Sequence, residues 1–159
     1  MSKKDEIITG LVRVRQEIVD GVSSLPSARH DEAFLGRWSV KDLIAHLIGW
    51  DYTNLEAVKE ILRGKLPRFY AFYDRDWASY NAKLVREHKR DSLSGLLASL
   101  ESSHRALISF LGSVPPEGFQ KDHGVRSPQG RAVTIVDLLQ TEIDDEREHL
   151  EQIRDRLST

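Results

Sequence analysis

Apolar residues recur at spacings of three and four along four long stretches, and this periodicity constrains the fold more than any other feature of the chain. The stretches cover residues 7–22, 40–61, 93–111 and 135–157. Such spacing is typical of amphipathic helices, and no segment sustains the alternation expected of a strand. Four helices that must each bury one face predict an all-α fold, a four-helix bundle, in one domain of residues 1–159.

The residues that flank these stretches indicate where the helices begin. Ser39 precedes the second stretch and Asp42 follows three residues later, so the serine hydroxyl can accept from a free N–H group of the first turn. Asp91 and Thr134 are predicted to cap the third and the last stretch in the same way. Prolines and glycines crowd residues 112–132, which allows a long crossover before the last helix.

The segment from residue 69 to residue 89 is rich in aromatic residues and predicts a loop followed by a helix from about Arg75. Two interpretations remain open for its rings, because polar residues are interleaved with them. The rings fill a core, or they line a polar-edged pocket for a flat organic ligand. The candidate pocket residues are Trp50, Tyr70, Tyr73 and Trp77.

Composition excludes several classes of function. The chain has no cysteine, which rules out disulfides, thiolate metal sites and cysteine nucleophiles. A formal charge of -2 gives no sign of nucleic-acid binding. No apolar run approaches the roughly 20 residues that span a membrane, and no signal-peptide core follows Met1. We therefore expect a cytoplasmic protein.

The segment RWSVKDLIAHLIGW, residues 37–50, resembles the signature of the DinB superfamily, in which a Trp-Ser pair opens helix two and a histidine follows. The segment HLEQI, residues 149–153, resembles the matching C-terminal signature. The long helices and the aromatic middle, from Tyr70 to Asn81, look most like the ClbS/DfsB-type branch. That resemblance implies a metal-independent hydrolase that disarms an electrophilic small molecule, and hence a role in stress or toxin resistance.

Metal-binding members of this superfamily typically hold a divalent ion with one histidine of helix two and an H-x-x-x-H pair of the last helix. The resemblance assigns these positions to His46, Asp145 and His149, and the aspartate departs from the usual histidine. A set of two histidines and one carboxylate still suits zinc, nickel or manganese. The expected cofactor is therefore either none or one such ion.

Two alternative functions remain open beside the ClbS/DfsB-type activity. One is a metal-dependent transferase or hydrolase, and the other is a non-catalytic module that pairs as a homodimer. No pattern in the sequence identifies a catalytic residue. Helical geometry places His46 and His149 on the flanks of their apolar stripes, so we predict that they meet with Asp145 in one cleft between the second and the last helix.

His104 and Glu146 occupy core positions of their stretches. A buried carboxylate needs a partner, so we predict that these two side chains pair. A second interpretation comes from spacing, because Glu101 to His104 and Glu146 to His149 both fit the Glu-x-x-His pattern of di-iron carboxylate proteins.

Overall fold

The computed structural model describes residues 1–72 and 76–157, and this part of the chain is all-helical, as predicted. Its helices are α1 (Lys3–Ser23), α2 (Val40–Leu62), α3 (Trp77–His88), α4 (Leu93–Ser113), α5 (Glu117–Gln120) and α6 (Ile135–Leu157), with short 3-10 turns at Ser27–Arg29 and Arg68–Phe72. Within the described ranges there is no strand, only two isolated bridges. None of the described helices is long and apolar enough to cross a membrane.

Side-chain caps fix the beginnings of the long helices. The Ser39 hydroxyl accepts from the Asp42 amide at 3.3 Å, which confirms the predicted cap, and the Asp42 carboxylate accepts from the Ser39 amide at 3.0 Å, which completes a capping box. Thr134 caps α6 as predicted. The predicted cap Asp91 is wrong by one residue, because the hydroxyl of Ser92 is the group that reaches the Gly95 amide, at 3.1 Å.

The four long helices form two parallel pairs. In the first pair α1 lies against α6. Gly10 is next to Ile143 and Gly21 is next to Ile153, so the two helices run in the same direction. The second pair joins α2 to α4. The two pairs run antiparallel to each other, since Lys4 near the start of α1 donates to the Gly112 carbonyl at the end of α4.

Two apolar clusters occupy opposite ends of the core. Ile18 and Leu96 belong to one cluster, and Leu11 and Leu107 belong to the other. A polar layer separates them and consists of one residue from each long helix: Arg15, Asp51, Ser103 and Glu146. All four side chains are buried.

Arg15 is the centre of this polar layer. Its Nε donates to Glu146 at 2.7 Å, and its two terminal nitrogens donate to Asp51 at 2.9 and 2.8 Å. Ser103 donates to the same aspartate at 2.6 Å. The predicted pair of His104 and Glu146 is therefore wrong, because the guanidinium satisfies the glutamate and the described chain offers neither ring nitrogen of His104 a partner.

Candidate functional site

The structure brings His46 of α2 and His149 of α6 into contact. Their ring centroids are 5.6 Å apart and the rings meet edge to face at 82°. Asp145, one turn before His149, is exposed. Neighbouring protein atoms nevertheless displace enough water from its carboxyl group to raise the pKa of Asp145, and the nearby His149 opposes that rise.

His46 is buried among aromatic rings. The ring of Trp38 lies 4.8 Å from it and that of Trp50 lies 6.4 Å away, as measured between centroids. Its Nδ1 atom is buried and has no hydrogen-bond partner among the described residues. Burial, and then the proximity of His149, lower the pKa of His46 to about 3. The ring is therefore neutral at physiological pH.

His149 is oriented by Gln152 on the next turn of α6. The His149 Nδ1 atom and the Gln152 side-chain oxygen are 2.9 Å apart. Because an amide oxygen only accepts hydrogen bonds, Nδ1 of His149 carries the proton in this pair. When the ring carries only that proton, Nε2 is the nitrogen that holds the lone pair.

Two further polar atoms, one on α2 and one on α6, are buried without a partner among the described residues. They are Nδ2 of Asn54 and Oε1 of Glu142. Asn54 lies eight residues after His46 on α2, and Glu142 lies seven residues before His149 on α6. Because the two helices are antiparallel, Asn54 and Glu142 are at about the same height, roughly 12 Å along the helix axis from the two histidines. We call this line of residues the α2/α6 seam: His46, Trp50, Asn54, Glu142, Asp145 and His149.

Unpartnered polar atoms are concentrated in this seam. In the described ranges five buried side-chain atoms have no partner; three lie in the α2/α6 seam and the other two are the ring nitrogens of His104. Burial and the charge of Glu146 also raise the pKa of Glu142 well above its ordinary value, which favours the protonated, neutral form of its carboxyl group.

Three of the four predicted pocket residues, Trp50, Tyr70 and Trp77, belong to an aromatic cluster that adjoins the seam. Trp50 lies 5.7 Å from Trp77 and 5.5 Å from Phe69, whose ring is 4.7 Å from that of Tyr70. Trp50 also donates to Asn81 at 2.8 Å. Tyr73, the fourth predicted residue, lies outside the described residues.

A cavity of about 280 Å³ adjoins the cluster between α2 and α3. Phe69 and Tyr80 contribute to its lining, whereas Trp50, Tyr70 and Trp77 do not. Phe69 joins Trp50 to Tyr70, and it is one of the aromatic residues whose rings were predicted to fill a core or to line a pocket. The density of aromatic residues was the only signal for it.

The sequence profile of the DinB superfamily matches residues 10–153 of this chain. The chain belongs to the DinB superfamily. No curated protein and no solved structure matches it. The matched range includes the whole α2/α6 seam, so the two histidines that meet in the structure lie within the part that identifies this DinB protein.

Two of the three residues of the metal site that the resemblance implies are in contact. His46 and His149 meet, but Asp145 is exposed. Across residues 1–72 and 76–157, no three histidine, aspartate or glutamate side chains are arranged to hold one ion. Among the described residues, His46 and His149 contact each other, and no third side chain is positioned to bind an ion together with them.

Asn54 and Glu142 were not predicted from the sequence as candidate site residues. Both interrupt an apolar stripe, Asn54 four residues before Val58 and Glu142 next to Ile143. A polar residue at such a position signals either a buried pair or a ligand contact. The structure leaves one atom of each without a partner.

Proposed function

We propose that this DinB protein binds a small molecule in the α2/α6 seam and, as in the ClbS/DfsB-type branch, disarms an electrophilic compound by hydrolysis. In this proposal the four long helices form the four-helix bundle of the superfamily. The seam is the boundary between α2 and α6, which belong to different helix pairs. The observation that carries the proposal is the group of three buried, unpartnered polar atoms on His46, Asn54 and Glu142.

Unpartnered polar atoms favour a ligand because leaving each of them buried costs about 1–3 kcal/mol. Asn54 supplies an amide N–H donor, and the protonated Glu142 has an unpartnered oxygen at the same level of the seam. These two groups suit a neutral ligand better than an anion or a cation. A ligand that also reaches His46 spans roughly 12 Å along α2.

His46 and His149 stand at the other end of the seam, where the reaction would take place. A neutral imidazole holds one donor and one acceptor, so it can orient a water molecule. For a strained ring such as an epoxide, the water oxygen bonds to one carbon as the carbon–oxygen bond opens. The water loses one proton and the opened oxygen gains one, which gives a diol. The aromatic rings around Trp50 suit flat apolar substituents.

Hydrolysis of trans-stilbene oxide tests this proposal, because the probe is neutral, strained and carries two flat rings. We expect the protein to form the diol, and His46→Gln to lower the rate at least tenfold. The matched control is His88→Gln, since His88 stacks on Tyr52 away from the seam. No diol formation by the native protein, or equal rates for the two variants, would overturn the proposal.

A divalent-metal site is the second candidate, and the 5.6 Å distance between the His46 and His149 rings is the observation that favours it. These two residues would hold the ion and Asp145 would turn in to add an oxygen, for metal-dependent transferase or hydrolase chemistry. Thermal melts with added Ni²⁺ test this candidate. A rise in Tm that His149→Gln abolishes supports it, and an unchanged Tm counts against it.

A further inference from the structure

The other boundary between the two helix pairs lies between α1 and α4, away from the α2/α6 seam. A groove of about 920 Å³ runs along it, a volume within the range of roughly 300–1,000 Å³ that small-molecule sites occupy. Apolar side chains form much of its walls, among them Val12, Val19, Leu97 and Ile108. Arg15 and His104 also line it. We call this feature the α1/α4 groove.

His104 is a polar residue of the groove whose buried ring nitrogens have no partner among the described residues. Both ring nitrogens are buried, and no described residue bonds to either of them. Burial, and then the positive charge of Arg15, lower the pKa of His104, so the ring is neutral at physiological pH. A neutral imidazole offers one donor and one acceptor. A bound hydroxyl or carbonyl group would therefore satisfy a ring nitrogen that the protein itself leaves unpaired.

The charges around the groove favour a neutral ligand. Arg15 lines the groove, but its donors are directed to the carboxylates of Asp51 and Glu146. One positive and two negative groups leave this buried set with a charge of about -1, so it does not attract an anion. At the rim, Glu101 and Arg105 pair with each other. Each of these five groups is ion-paired within the protein, so none of them is left to bind a charged group of a ligand.

We propose that the α1/α4 groove binds a neutral, mainly apolar small molecule whose hydroxyl or carbonyl group hydrogen-bonds to His104. This site is separate from the α2/α6 seam, and it does not depend on the function proposed for that seam. The apolar walls supply affinity by burying hydrocarbon, and His104 fixes the orientation of the ligand. An apolar contact surface for a second copy of the chain is the competing occupant.

The dye Nile red tests this proposal, because it is neutral, largely apolar and carries a carbonyl group, and its fluorescence rises in apolar surroundings. Ala98 lies on the groove and is exposed, so Ala98→Trp should obstruct the groove without disturbing the core. The matched control is Ala106→Trp, an equally exposed position of α4 that does not line the groove. We expect one dye per chain, at least tenfold weaker binding in Ala98→Trp, and unchanged binding in Ala106→Trp.

The role of His104 is tested by His104→Leu, which keeps the volume and removes both ring nitrogens. Loss of one hydrogen bond of about 1 kcal/mol corresponds to roughly fivefold weaker dye binding. Thermal melts establish that each variant is folded. Equal dye binding by Ala98→Trp and Ala106→Trp would overturn the site. A dimer in light scattering that Ala98→Trp dissociates would also overturn it, because the groove would then bind a second copy.

Discussion

Replacing Glu142 by glutamine should stabilise the protein at neutral pH, although a buried ionisable residue is being removed. Arg15 already binds two carboxylates, and Glu142 is a third carboxyl group beside them. Its pKa is raised well above 4.5, the ordinary value that applies in the unfolded chain. Above pH 4.5 the native state therefore keeps a proton on Glu142 that the unfolded chain releases. At pH 7 that proton costs at most about 3 kcal/mol, the limit set by about 1.36 kcal/mol per pH unit over the roughly 2.5 units between pH 4.5 and pH 7.

The extra proton on Glu142 also determines how the free energy of unfolding depends on pH. Above pH 4.5 the native state holds more protons than the unfolded state, so the free energy of unfolding falls as the pH rises. Glu142→Gln has no such slope. Its advantage over the native protein should be small near pH 4.5 and should grow to at most about 3 kcal/mol at pH 7.

Urea unfolding followed by circular dichroism at pH 5 and pH 7 measures this difference. The control is Glu148→Gln on the same helix, because Glu148 is exposed and its replacement should change stability little at either pH. A loss of stability in Glu142→Gln at pH 7, or an effect that does not vary with pH, would refute a protonated Glu142.

Three further substitutions test the packing and the polar layer. Arg15→Met leaves two buried carboxylates uncompensated and should lower the free energy of unfolding by about 3–5 kcal/mol in urea melts at pH 7; a variant as stable as the native protein would contradict the buried ion pairs. Gly49→Ala places a methyl group 2.7 Å from the Leu84 Cβ atom and should cost about 1–3 kcal/mol, whereas a higher Tm would mean that α2 and α3 are not in close contact. Ser39→Ala removes the cap of α2 and should cost about 1 kcal/mol in the same melts, and no change would dispute the capping box.

The helices could be predicted because their periodicity extends over many turns. Each long stripe repeats at the helical spacing often enough to exclude a strand, and serine or threonine precedes three of the stripes. α5 was not predicted because its four residues, Glu117–Gln120, are too short to show any period. The position of the α4 cap differed by one residue, since Asp91 and Ser92 are both favourable caps.

The polar layer was missed although the sequence contains a signal for it. Arg15 lies four residues after Leu11 and three before Ile18, which is a core position of the α1 stripe. Asp51 and Glu146 occupy similar positions near the middle of their own helices. One buried arginine can satisfy two carboxylates through its planar donors, so it satisfies Glu146 better than the single ring of His104 would.

The contact between His46 and His149 agrees with a cleft between α2 and α6, because both residues lie on flanks of their stripes. The orientation of Asp145 could not be predicted, since a spacing of four residues places it on the same face as His149 without specifying its exposure. Whether the polar atoms of Asn54 and Glu142 find partners depends on the distance between α2 and α6. That distance cannot be predicted from a local sequence pattern.

Elemental analysis of native, tag-free protein tests the α2/α6 seam most directly. A seam that binds its ligand through His46, Asn54 and Glu142 without a resident ion predicts zinc, nickel and manganese far below one equivalent per chain, and the same low content in His46→Gln. About one equivalent of one of these metals, lost in His46→Gln, would contradict a metal-free seam and establish the metal site instead.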